Sequence, residues 1–195
     1  MTIKRLAITG YKAHELGIFN DTHPGLPVIK EALKNRLIPL IEEGLEWVLV
    51  SGQLGVETWA VEVVWALQQT YDIKYAVMTP FLEQEKNWND QKKMHYQDML
   101  ARADFTTAIT NRPYEAPWQF VEKNKFFVLN SDGFLIVYDE DQEGSPKYVK
   151  RLVETYIDKH NPQYELMTID AYDLQVVGEE IQERMWEQQD NGFSE

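Results

Sequence analysis

One heptapeptide combines the residue types from which anion-binding loops are made. Ser51-Gly52-Gln53-Leu54-Gly55-Val56-Glu57 joins a short apolar run to a segment with helical patterning. Its glycines allow φ > 0 and let a bulky anion approach the backbone, while the helix that follows would aim its unpaired N–H groups and positive dipole end at that anion. This is the chemistry of a phosphate cradle, with Ser51, Gly52, Gln53 and Gly55 as contacts. It is neither a dinucleotide fingerprint nor a P-loop, because the G-x-G-x-x-G spacing and the Gly-Lys-Ser/Thr ending are both missing. The plainer alternative is a tight turn that needs glycine for geometry alone. Glu57 is a separate question: a carboxylate in a first helical turn can simply cap it, or, beside a phosphate, bind ribose hydroxyls or serve as catalytic acid or base.

Other segments offer comparable groups. Thr9-Gly10-Tyr11-Lys12 ends the first apolar run and lies beside the cradle if the first two strands are neighbours. There Gly10 would admit a ligand and Lys12 would bind its phosphate; a loop glycine and a solvated lysine are the alternative. Arg112, in Asn111-Arg112-Pro113-Tyr114, carries the planar fork suited to phosphate or carboxylate, although in an acidic chain an arginine readily pairs with a surface acid. Trp88, in the polar run 85–90, has no periodic apolar partners and is placed to stack on a base or to fold back onto the core. Gly144-Ser145-Pro146 reads as a second anion-accepting loop at a helix start, or as a turn with its N-cap. The four histidines, at positions 14, 23, 95 and 160, lack metal-ligand spacing, and no serine–histidine–aspartate set can be assembled. Magnesium arriving with a bound nucleotide is compatible with this inventory.

These segments need a scaffold that gathers them. Strand-like runs at 4–9, 47–51, 74–79, 105–110 and 133–138 alternate with helical patterns at 26–43, 56–71, from about 90 to 102, up to about 130, and at 146–160, with 165–168 as a further edge strand. This alternation predicts an α/β, Rossmann-like open parallel sheet with helices on both faces. It forms a single domain over residues 1–177, followed by an acidic C-terminal tail over 178–195. Such sheets bind ligands at the carboxyl ends of their strands, where the cradle and its companions all fall. Gly44 should close the first helix as its C′ residue, and Pro39 should bend it. The second helix is apolar nearly all round, so another layer or a second copy of the chain must cover Trp59, Val63, Val64 and Leu67.

Composition excludes several classes. A chain of 195 residues without cysteine has no disulfide, thiolate metal site or thiol nucleophile. The first ten residues lack a secretory h-region, from which a cytoplasmic protein is expected, and no run is long and apolar enough to insert in a membrane. A formal net charge of −13 opposes binding to nucleic acid or anionic lipid. Six acids against one arginine in the tail account for about a third of that excess.

Several of these stretches also form a pattern with Glu15-Leu16-Gly17-Ile18-Phe19, Thr79-Pro80-Phe81, Glu83 to Trp88 and Gly144-Ser145-Pro146-Lys147-Tyr148. Together they resemble the YpsA family of small bacterial proteins, up to about residue 170. That family is placed in the SLOG superfamily with the DNA-processing protein DprA and the LOG-type phosphoribohydrolases. The resemblance implies a Rossmann-like fold and a nucleotide or nucleotide-derived ligand, NAD or ADP-ribose among them. In SLOG terms, Gly52, Gly55 and Glu57 match the phosphate-loop glycines and following acid. Lys123-Asn124-Lys125 looks like the Arg-Asn-Arg of DprA-type members, which adds Asn124 to the candidate contacts. Gly144-Ser145 stands where others carry a Gly-Gly-x-Gly-Thr loop, but the LOG enzymes' glutamate after that loop is absent, the next acid being Glu154.

Three function classes follow. The first is a nucleotide-binding regulator, with a cell-division protein as the partner implied by resemblance. The second is an enzyme cleaving an N-glycosidic or phosphoribosyl bond with Glu57 as its acting group. The third is single-stranded nucleic-acid binding through Trp88 and Tyr114, which the acidity disfavours.

Overall fold

Apolar and β-branched runs extend as strands because their side chains pack on a pleated surface. In the computed structural model, which describes residues 2–192, these are β1 (Arg5–Gly10), β2 (Trp47–Val50), β3 (Lys74–Thr79), β4 (Phe105–Ala108), β5 (Gly133–Val137) and β6 (Glu165–Ile169). The helices are α1 (Gly25–Glu42), α2 (Val56–Leu67), α3 (Asp90–Arg102), α4 (Trp118–Leu129), α5 (Pro146–Lys159) and α6 (Ala171–Gly192). All strands pair in parallel, in the order β4-β3-β2-β1-β5-β6.

Alternation along each strand sorts the core into two layers. Leu6, Ile8, Val48, Val50 and Val77 pack with residues of α1, α2, α3 and α6. Ala7, Leu49, Ala76, Phe134 and Ile136 pack with residues of α4 and α5. The chain winds outward from β1 to β4 and returns, through α4 on the other face, to β5 beside β1. Strand order therefore reverses between β1 and β5, the switch point where open α/β sheets place ligands.

Gly44 is the C′ residue of α1, at φ +115°, with the Leu45 N–H reaching back to the Leu40 carbonyl at 2.8 Å. The helix runs unbroken through Pro39. The apolar surplus of α2 is covered inside the chain: Trp59, Val63, Val64 and Leu67 are at most 7 % exposed, packed with α1 and with Tyr96 and Met99 of α3. The second copy that the pattern admitted is not needed to bury them. α6 begins at Ala171, so the expected boundary after residue 177 falls inside a helix. Leu174, Val177 and Ile181 pack on the core, and Arg184 pairs with Glu31 of α1 at 3.3 Å. Residues 193–195 of the expected tail lie outside the described residues. No described helix is long and apolar enough to cross a membrane.

The loops after β1 and β2 cross in contact. The Ala13 N–H donates to the Leu54 carbonyl and the Val56 N–H to the Tyr11 carbonyl, each at 3.1 Å, and Lys12 bridges Gly55. Gly55 has φ 124° and ψ −134°, a region open essentially to glycine alone. A Cβ there would lie 2.5 Å from the Tyr11 carbonyl oxygen and 2.6 Å from the Ala13 nitrogen, while one on Gly10 would lie 2.8 Å from the Val56 side chain. Gly55→Ala is expected to cost at least ~2 kcal/mol of stability, measured as a lower urea midpoint at unchanged slope. An unchanged midpoint would mean that the crossing tolerates a side chain.

Candidate functional site

The switch point between β1 and β5 is filled by the protein itself. The Tyr11 hydroxyl accepts from the Asp139 N–H at 2.9 Å and lies within donor reach of the Asp139 and Gln142 carbonyls. Burial, the largest influence, raises its pKa. The Glu15 carboxylate accepts from the Ser145 N–H (2.7 Å), the Ser145 hydroxyl (2.9 Å) and the Lys12 N–H (2.7 Å). Burial pushes the Glu15 pKa upward, but these bonds, with the charge of Lys12, outweigh it and leave it lowered. The loop at Gly144 and Ser145 thus accepts an anion, as its sequence suggests, and the anion is an internal carboxylate. Gly144 is small because Tyr11 lies on it: a Cβ there would sit 2.7 Å from the Tyr11 ring.

Glu57 plays the same part in the 51–57 loop. Only 3 % exposed, its carboxylate accepts from the Thr9 hydroxyl (2.8 Å), the Ser51 N–H (2.8 Å), the Ser51 hydroxyl (2.7 Å) and the Gln53 N–H (3.2 Å). These charge-assisted bonds join the ends of β1 and β2. Gly52, at φ +80°, lies under α3 and the loop after β3: a Cβ there would sit 2.9 Å from the Tyr96 ring and 3.3 Å from the Gln84 amide nitrogen. That loop is tied down by the Gln84 amide, which donates to the Ser51 carbonyl at 2.9 Å. Burial pushes the Tyr96 pKa up to about 12.

With the crevice filled, the open concavity lies beside it, over the start of α2. It is a groove of about 970 Å³ lined by Lys12, Gln53, Gly55, Trp59 and Trp88, among others. Trp88 folds back onto the core, edge-on to Tyr96 with ring centroids 5.1 Å apart, and its remaining surface walls the groove. At the far end Glu62 accepts from His95 at 3.0 Å and pairs with Lys30. The Glu62 bond holds the His95 pKa above its ordinary value. Burial pushes Glu62 upward, but His95 and Lys30 more than compensate and leave it lowered.

Two lysines stand out. Most basic side chains find an acid; Arg112, expected as a candidate contact, pairs with Glu115 at 3.4 Å on the surface. Lys12 and Lys123 have no carboxylate within ion-pair distance among the described residues. Lys123 is only 8 % exposed, on the inward face of α4. Burial lowers its pKa; Glu57 opposes that shift and Lys12 adds to it, so the ammonium lies close enough to feel both charges. The neighbouring Asn124 Oδ1 is the one buried side-chain polar atom without a hydrogen-bond partner among the described residues. Such groups are costly to bury and rare.

Thr9, Ser51, Gln53 and Glu57 therefore form one hydrogen-bonded set, and Lys12, Gln53, Gly55 and Trp88 share the groove, whereas Gly144, Ser145 and Arg112 are engaged elsewhere. Sequence reasoning passed over Glu15, Glu62, His95 and Lys123 as contacts. Lys123 left a trace, falling four residues after the buried Gln119 and four before Phe127 on one face of α4. Among the described residues no group of three or more acids and histidines is placed to hold a metal.

Comparison with known proteins gives one consistent result. The YpsA model, described as the YspA SLOG family, matches residues 6–174. A UPF0398 protein of Lysinibacillus sphaericus is 62 % identical over 180 residues, 92 % of this chain and 99 % of that protein. The UPF0398 protein YpsA of Bacillus subtilis is 51 % identical over 179 residues, 91 % of this chain and 98 % of its own. One from Brevibacillus brevis is 49 % identical over 185 residues, 94 % and 97 % of the two chains.

Glu57→Gln would place an amide NH₂ among four donors, at an expected cost of about 2–3 kcal/mol, read by chemical denaturation; an unaffected midpoint would show that the charge is dispensable. His95 should titrate above about pH 6.5 by NMR. Because folding raises its pKa, its stabilising contribution is full below about pH 6.5 and is lost as pH rises through the folded value. The stability difference between the wild type and His95→Gln should shrink over that interval; a pH-independent difference would contradict the charge pairing.

Proposed function

The chain belongs to the YpsA family of the SLOG group, and from that premise we propose that it binds a nucleotide or nucleotide-derived ligand, with a phosphate held between Lys12 and Lys123 and the remainder lying in the groove over α2. The observation that carries this reading is Lys123, only 8 % exposed and without a carboxylate at ion-pair distance among the described residues. A chain with 32 acids against 19 lysines and arginines has counter-charges to spare, yet leaves this ammonium without one. An anionic ligand supplies the missing charge and relieves the repulsion between the two lysines. It would also meet Gln53 and Trp88 in the groove, a polar group and an aromatic wall suited to a sugar and a base.

A regulatory role fits this site better than hydrolysis. Glu57 already accepts four hydrogen bonds inside the loop and is almost wholly shielded from solvent. To act as a base it would have to leave the donors that join β1 to β2. Binding that reorganises Lys12 and its loop would be felt at the surface, where a cell-division partner implied by resemblance would read it.

Lys123→Met provides the test. Folding lowers the Lys123 pKa, so the charged lysine costs stability at neutral pH, and that cost fades as pH rises from the folded value towards the ordinary 10.5. The variant should therefore melt higher than the wild type without ligand. At about a hundredfold over Kd, a bound nucleotide should add roughly 2.7 kcal/mol to the wild type, a shift of a few degrees. Loss of a charged hydrogen bond should weaken binding in the variant on the order of 10- to 100-fold. Thermal shift with AMP, NAD and ADP-ribose reads both effects; an undiminished ligand shift in Lys123→Met would overturn the assignment.

A further inference from the structure

The groove has a second end that a single phosphate at Lys12 and Lys123 leaves unused. α2 presents Gly55, Thr58, Trp59 and Glu62 to it, the i, i+3, i+4, i+7 spacing of one helix face. Lys12 bridges Gly55 at the start of that face, and His95 is bonded to Glu62 at its end, at 3.0 Å. Over seven residues a helix rises about 10 Å, so the two ends are well separated.

The far end also carries surplus positive charge. Lys92 and His95, three residues apart on α3, both line the groove. Lys92 has no ion pair among the described residues. Glu62 is shared between Lys30 of α1 and His95 of α3, so the trio is net positive when His95 is protonated. The other charges acting on His95 are Asp21, from the loop before α1, and Asp98 of α3; Asp98 is itself paired with Arg102 at 3.6 Å. The Trp65 ring stands edge-on to His95, centroids 5.8 Å apart. Asp21 and Glu62 also line the groove, so Lys12 and Lys92 leave its lining net positive by one charge when His95 is protonated, in a protein of net charge −13.

We propose that Lys92 and His95 form a second anion position, so that the ligand carries two phosphates set apart by a sugar, as in a nucleoside 3′,5′-bisphosphate or a 5′-phosphorylated dinucleotide. This rests on the reading that Lys12 and Lys123 hold the first phosphate. A pyrophosphate does not satisfy both positions, because its phosphorus atoms share one bridging oxygen and cannot reach both ends of the α2 face. Trp88, which walls the groove, is placed to meet the nucleoside that separates the charges.

Isothermal titration of the full chain with adenosine 3′,5′-bisphosphate, 5′-phosphorylated diadenylate, AMP and ADP provides the test. At about pH 6.5 the first two should bind at least ~10-fold more tightly than AMP or ADP, a difference of about 1.4 kcal/mol. That advantage should shrink as pH rises through the raised pKa of His95 and the imidazole loses its charge. It should also shrink in Lys92→Met and His95→Gln, whose affinity for AMP should stay at the wild-type value. Separated phosphates binding no better than AMP or ADP, or an advantage that survives both substitutions, would overturn the second position while leaving the first intact. If no compound binds, or if Lys123→Met leaves every affinity unchanged, the first position fails and the second with it.

Discussion

No side chain fits between position 55 and the backbone of residues 11–13, and the carboxyl edge of the sheet is arranged around that contact. The positive φ of Gly55 lets the strand-to-helix turn after β2 lie directly on the loop after β1, and the paired backbone bonds between the two loops make them one unit. The Glu57 carboxylate lies beneath that crossing and collects donors from both loops. The glycines of the motif therefore bring backbone against backbone, and the acid after them satisfies the N–H groups exposed by so sharp a turn.

The same economy closes the switch point. Glu15 sits at the start of α5 where an external anion would sit in many open α/β sheets, and Tyr11 fills the space beside it. Filling that crevice leaves the concave surface on the β2 and β3 side, between the first turns of α2 and the face of α3. A fold-level rule points to the carboxyl edge of the sheet, and the side chains of one short loop decide which part of that edge is open.

Charge tells the rest. Ion pairs on an exposed surface contribute little to stability, so pairs such as Arg112 with Glu115 mainly show how readily this chain neutralises its own bases. Against that background Lys123, buried without a carboxylate partner among the described residues, and the neighbouring Asn124 with its buried oxygen undonated, are costs to the fold. Costs of this kind gather where a protein meets something else. A buried arrangement with every polar group satisfied would be more stable and would have nothing to offer a ligand.

By itself the sequence determined the elements and their layering. The alternation of apolar runs with helical patterns is a local property set by side-chain period, and it recovers six parallel strands and five of the helices, but not α6, whose second half reads as an acidic tail and whose apolar residues nevertheless pack on the core. The special backbone positions were legible for the same reason, since Gly44, Gly52 and Gly55 each stand where a turn needs positive φ. Only the tertiary structure decided what those turns hold. Glu15 and Ser145 are 130 positions apart, Thr9 and Glu57 are 48 apart, and no periodicity reports contacts made across strands. Trp59 and its apolar neighbours left open whether another layer or a second copy covers them, because helical period cannot count how many elements pack on one helix. The isolation of Lys123 was least visible of all, because a missing partner becomes a fact only when every neighbour has been placed.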